Sequence, residues 1–107
     1  MRTQEQRKRR DREHICAIVI ATLKECNEEL NFQELNHPHE ETALFGGKGV
    51  LDSLKLVSLI VDIEQRIAAE FNQSVVLADE RAMSKFHSPF RTVRTLVDYI
   101  GEVLGSD

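Results

Sequence analysis

Residues 46–54 read GGKGVLDSL and run directly into KLVSLIVDIEQRI at 55–67. Three glycines in four positions break any helical period and leave the backbone open. Asp52 then offers a carboxylate to the unpaired amides of a first turn, as a good N-cap does. Behind it Leu56, Leu59 or Ile60, Ile63 and Ile67 recur at helical spacing, with Val57 beside them. The pattern predicts a helix over about 53–70, capped by Asp52 and carrying one hydroxyl, Ser53, on its first turn. Apolar residues cover more than a third of its circumference. Such a helix is either central or keeps an apolar outer patch for a partner.

Working outward, Cys16, Val19, Leu23, Cys26 and Leu30 make one apolar face, flanked by Ile15 and Ile20, and predict a first helix over about 12–35. Residues 36–51 are a long connection broken by Pro38 and the glycines. Its Leu44, Phe45, Val50 and Leu51 are expected to fold back and pack. Phe71-Asn72-Gln73-Ser74 ends the second helix. Val75-Val76-Leu77 is β-prone but has no second strand to pair with, and is read as extended loop. Asp79 caps a short third helix over about 79–86 with Ala82, Met83 and Phe86, ended at Ser88-Pro89. Thr92 caps a last helix striped by Val93, Leu96, Val97, Ile100 and Leu104 and stopped at Gly105. The fold class is all-α: four helices, the third short, with a long loop between the first two and no internal repeat.

Composition sets bounds on what such a chain does. With 107 residues it is expected to be one small domain, and 41% hydrophobic residues support a modest core. No apolar run approaches the ~18 residues of a membrane span, and the start lacks the apolar middle of a secretory signal. A soluble, cytoplasmic monomer is expected. Residues 1–13 carry six Lys/Arg against three Asp/Glu, a net of +3, and the rest carry eight against fifteen, a net of −7. The division is drawn there: a basic arm at 1–13 and the folded domain at 14–107. An acidic body argues against nucleic acid and for basic protein partners. Cys16 and Cys26 on one helix stand ~15 Å apart along its axis, too far to bridge. They are read as small buried apolar residues.

Ser53 is the residue with chemistry to offer. A phosphate ester there would meet the free amides and positive end of a helix. No histidine lies near it in sequence to serve as its base, and L-D-S-L-K is not a G-x-S-x-G elbow. Ser53 thus reads as a site that another enzyme modifies rather than as a nucleophile. For an isolated Asp-Ser the plain reading is an ordinary first-turn serine.

The ordered set of features is more specific than the pair. A long first helix and long loop lead to Gly49-Val50-Leu51-Asp52-Ser53-Leu54. A Phe71-containing exit, a short third helix and a Thr92-Val93-x-x-Leu96-x-x-Tyr99-Ile100 helix follow. Together they resemble the acyl carrier protein family and its aminoacyl and peptidyl carrier relatives, over roughly residues 14–104. The resemblance implies a four-helix carrier bundle that catalyses no reaction itself. It implies that Ser53 receives 4'-phosphopantetheine from coenzyme A and that Asp52 helps engage the phosphopantetheinyl transferase. Acyl- or aminoacyl-loading ligases and downstream biosynthetic enzymes would be the other partners. Fatty-acid carriers commonly set acids along the exposed side of the second helix. Here Lys55, Leu56 and Ser58 come first, and Asp62 and Glu64 later. Docking is therefore expected through Leu54, Lys55, Val61 and Asp62, with a more apolar and less electrostatic character. Val-Leu before Asp52 is similar to D-alanyl and some peptidyl carriers, which favours a specialised pathway over housekeeping fatty-acid or polyketide synthesis.

Two other readings stand beside this one. One is a helical interaction domain with an unmodified serine. The other is a small hydrolase pairing Ser53 with His37 or His39. His37-Pro38-His39 with Glu40 and Glu41 is a weak metal motif without further ligands. His14 and His87 are read as surface residues, and the basic run, interleaved with Asp11 and Glu13, as a solvated helix start.

Overall fold

A computed structural model of the chain describes residues 4–77 and 89–105. Among them lie three α-helices: α1 (Gln4–Leu30), α2 (Ser53–Phe71) and α3 (Val93–Gly105). A 3-10 turn, Gln33–Leu35, follows α1. Two isolated bridges, Ala43 with Thr92 and Phe45 with Leu51, stand in place of a sheet. The all-α class holds. The short helix expected at 79–86 and His87 lie outside the described residues, and α3 is the helix expected last.

The first helix runs further back than 12, as the reading of the basic run as a solvated helix start has it, and ends sooner than 35. It begins at Gln4, so the basic run is its opening turns, and it passes residues 13–14 without a break. It stops at Leu30 rather than near 35. Asn31 takes the left-handed conformation (φ 59°), which asparagine tolerates better than most residues. The buried Asn27 side chain then closes the corner. Its Oδ1 accepts from the Phe32 amide at 2.8 Å, and its Nδ2 donates to the Phe32 carbonyl and to Asn36 Oδ1, both at 2.9 Å. With all three polar partners satisfied, a buried amide stabilises the bend instead of destabilising it. Asn72 ends α2 in the same left-handed way (φ 52°), its amide donating to Ala68.

The core is built from one face of each helix. Ile15, Val19 and Leu23 of α1 meet Leu56, Leu59, Ile60, Ile63 and Ile67 of α2 and Val93, Leu96, Val97 and Ile100 of α3. The α1 face keeps Val19 and Leu23 at its centre as expected, with Ile15, Thr22 and Asn27 completing it. Cys16 and Cys26 lie on its flank, both free and only half-buried, instead of fully buried. His14 pairs with Glu70 at 3.1 Å and Arg66 with Glu25 at 2.5 Å, which sets α1 and α2 antiparallel. The loop folds back as expected: Leu35, Leu44 and Leu51 are buried, with Phe45 and Val50 packed against them. Val75-Val76-Leu77 belongs to no helix and makes no strand pairing among the described residues. Leu77 is buried, its amide donating to Glu64 Oε2 and its carbonyl accepting from the Tyr99 hydroxyl. No helix among the described residues is long and apolar enough to cross a membrane.

Candidate functional site

The start of α2 is staged by the loop before it, and that loop is nailed to the start of α3. Leu44 donates its amide to the Arg91 carbonyl (2.7 Å). In return the first amides of α3, which have no helical acceptor, donate to the loop: Val93 to the Thr42 carbonyl (3.1 Å) and Arg94 to the Glu40 carbonyl (2.9 Å). Arg94 also pairs with Glu41, and Arg12 of α1 with Glu40 (2.6 Å) and Asp98 (3.1 Å). Thr92 and Thr95 close a reciprocal capping box, each hydroxyl accepting from the other's amide at 3.2 and 3.1 Å.

From Leu44 the chain makes one tight loop and returns. Gly46 and Gly47 hold positive φ (76° and 53°), and Gly49 donates its amide to Gly46. Leu51 then donates back to the Leu44 carbonyl at 3.0 Å. The buried Leu51 side chain locks the return, so the next two residues, Asp52 and Ser53, emerge at a fixed place on the surface.

Asp52 is the N-cap of α2 as expected. Its Oδ1 accepts from the Lys55 amide (2.8 Å) and its Oδ2 from the Lys55 ammonium (2.9 Å). The amide first, and the ammonium second, hold the carboxyl below its ordinary range. Ser53 is exposed on the first turn, and among the described residues no hydrogen bond reaches its hydroxyl. His39 Nδ1 accepts from the Glu41 amide at 3.1 Å. Among the described residues no group of three or more His, Cys, Asp or Glu could hold a metal ion.

The outer face of α2 carries three exposed aliphatic side chains among polar ones. Leu54 is 78% exposed, Val57 39% and Val61 42%. At about 100° per residue these three fall within about 60° of one another, on the side opposite the buried stripe. Lys55 and Asp62 share one flank of that face. Lys55 is engaged with Asp52, and Asp62 lies 3.7 Å from the Cys26 thiol, which burial and then the nearby Asp62 charge push to a higher pKa. The arrangement offers an accessible, unpaired hydroxyl on a rigid helix end, beside an apolar ridge about 12 Å long.

Three roles escaped the sequence. Gly49 is a close-approach residue, Arg91 anchors Leu44 through its backbone and lies against Gly47, and the carbonyls of Glu40 and Thr42 serve α3. Only the first left a trace, as a glycine after Lys48. No family model, curated protein or solved structure matches the chain.

Proposed function

We propose that the chain is a carrier protein of the acyl-carrier type, a four-helix bundle that tethers acyl or aminoacyl thioesters on a 4'-phosphopantetheine arm at Ser53. The observation that carries this reading is the exposed, unpartnered Ser53 hydroxyl directly behind the Asp52 cap. A tightly closed loop holds both residues out from the core. The residues fit the group: a phosphodiester at Oγ would lie at the positive end of α2, where the Ser53 amide has no helical acceptor. Loading is a transfer in which the Ser53 oxygen attacks a phosphate of coenzyme A and gives up its proton. The pyrophosphate bond breaks and adenosine bisphosphate leaves. In this reading the transferase supplies the base. A flexible covalent arm then raises the concentration of cargo at each partner enzyme. Aminoacyl, D-alanyl and acyl cargo all suit this chemistry.

The test is intact mass after incubation with coenzyme A and a broad-specificity phosphopantetheinyl transferase. One added phosphopantetheine is expected on the wild-type chain and none on Ser53→Ala. An unmodified wild-type chain, or a modified Ser53→Ala chain, contradicts the proposal.

A further inference from the structure

Between Gln4 and His14 helix α1 holds no apolar residue, and Ile15 is its first buried residue among those described. About 16 Å of helix thus has nothing to bury. Its charge changes sign along the axis. Positions 4–10 set Glu5 against Arg7, Lys8, Arg9 and Arg10, a net of +3. From position 11 on, this end of the bundle is acidic: Asp11, Glu13, Glu40, Glu70, Asp98 and Glu102 outnumber Arg12 and His14. Arg94 and Glu41, next to Glu40, pair with each other. The four cations at 7–10 hold successive positions about 100° apart, so they ring the axis instead of marking one face. They also stand where a helix disfavours them, at the positive end of its dipole, with Arg7 and Arg10 a like-charged pair three apart. Glu5, Asp11 and Glu13, at spacings of three and four, offset part of this. Because α1 and α2 are antiparallel and His14 lies beside Glu70, these turns extend past the end of α2 away from Ser53, about 27 Å along that helix.

We propose that positions 4–10 of α1 bind a short, flexible acidic segment of a partner protein, a run of about five or six Asp/Glu that wraps the helix. The inference goes beyond the carrier reading and does not depend on it. With no apolar residue in the run, an occupant that must bury an apolar face, a protein groove or a bilayer interior, gains nothing there. A flat anionic surface touches one side of the helix and so about half of the ring. Such a surface, like a long nucleic-acid duplex, also brings many further negative charges within the ~8 Å screening length of the acidic end that begins at Asp11. A short flexible segment reaches cations on every side and stops before that acidic end. It places negative charge at a helix start, where the dipole favours it. A chain held there still presents Ser53 at its other end.

Four probes test this against the isotope-labelled full chain at low salt: a glycine-serine peptide carrying a glutamate run of that length, its lysine twin, a DNA duplex, and vesicles rich in phosphatidylserine. The glutamate peptide is expected to bind most tightly of the four, to shift amides at positions 4–14 and to weaken as salt is added. Doubling its glutamate run should tighten binding less than about threefold, since the added acids meet the acidic end. Arg7→Gln, Lys8→Gln, Arg9→Gln and Arg10→Gln together should weaken it roughly tenfold or more, with the melting temperature near wild type because the run adds nothing to the core. Lys8→Gln with Arg10→Gln, a milder change, should weaken it by an intermediate factor. Tighter binding of the duplex, the vesicles or the lysine peptide, no binding of the glutamate peptide, shifts confined to the bundle, or equal binding by the fourfold variant would each overturn the proposal. Ser53→Ala should bind the glutamate peptide as the wild-type chain does, so failure here and failure of the carrier reading are separate results.

Discussion

Gly49 lies so close to the backbone of Leu44 that a Cβ built on it would stand 2.4 Å from the Leu44 carbonyl carbon. Leu44 in turn bonds both Leu51 and Arg91 through its backbone, so this contact sits at the centre of the loop. Gly49→Ala must therefore push Leu44 away, since the obstacle is main chain and not a flexible tip. It should destabilise the protein by about 1–3 kcal/mol, measured by urea unfolding. It should also slow transferase loading of Ser53 more than Gly46→Ala, whose Cβ would meet nothing within 4 Å despite its positive φ. Equal effects of the two alanines would remove the close-approach role.

Asp52 has two separable tasks, capping α2 and presenting a charge beside Ser53. Asn caps nearly as well as Asp but carries no charge. Asp52→Asn should leave the melting temperature close to wild type and slow loading, whereas Asp52→Ala should lower both. If Asp52→Asn loads at the wild-type rate, the carboxylate has no part in transferase recognition.

Ile63 and Val61 lie on opposite sides of α2, one fully buried and the other 42% exposed. Ile63→Ala should cost about 2–5 kcal/mol of stability, from lost burial and the cavity left behind. Val61→Ala should change it by no more than about 0.5 kcal/mol. Denaturant midpoints at constant m-value check this, and a large loss at Val61 would mean that the ridge is structural.

Glu40 is held below its ordinary pKa of 4.5 by Arg12, Glu25 by Arg66, and Asp52 by the Lys55 amide and ammonium. A lowered carboxylate pKa favours the folded state. Its contribution is complete above the unfolded value and disappears as pH falls through the folded one. The melting temperature should therefore be insensitive to these groups from neutral pH down to about 5, then fall with acid. Arg12→Ala should flatten that fall, because Glu40 then loses the largest cause of its lowered pKa. An unchanged acid slope in Arg12→Ala would deny the pair any part in it.

Much of this arrangement was legible in the residues. Asp52 announces where α2 starts, and Leu56, Ile60, Ile63 and Ile67 announce which side is buried. Thr92 and its following stripe do the same for α3. These signals are local, each an effect of one turn on the next. The end of α1 was not legible, because it depends on Asn27 reaching five and nine residues ahead and on Asn31 taking positive φ. The edges of the α1 face were blurred by apolar residues on both flanks, which is why Cys16 and Cys26 were expected deeper than they lie. The bonds from Leu44 to Arg91 and from Val93 to Thr42 join backbone to backbone and leave no mark on side-chain identity. In the sequence alone, nothing distinguishes Gly49 from Gly46 and Gly47.

The stage on which Ser53 stands is thus completed by residues almost forty positions further along the chain. A nascent chain that has not yet released Arg91, Val93 and Arg94 has nothing to fasten Leu44, Thr42 or Glu40, so its serine is not yet held in place. Modification of Ser53 would then report that synthesis and folding have finished, and unfinished copies would go untagged. A chain truncated before Pro89 should be a poor transferase substrate even though every residue around the serine is present. Efficient tagging of that fragment would show that the short segment suffices by itself.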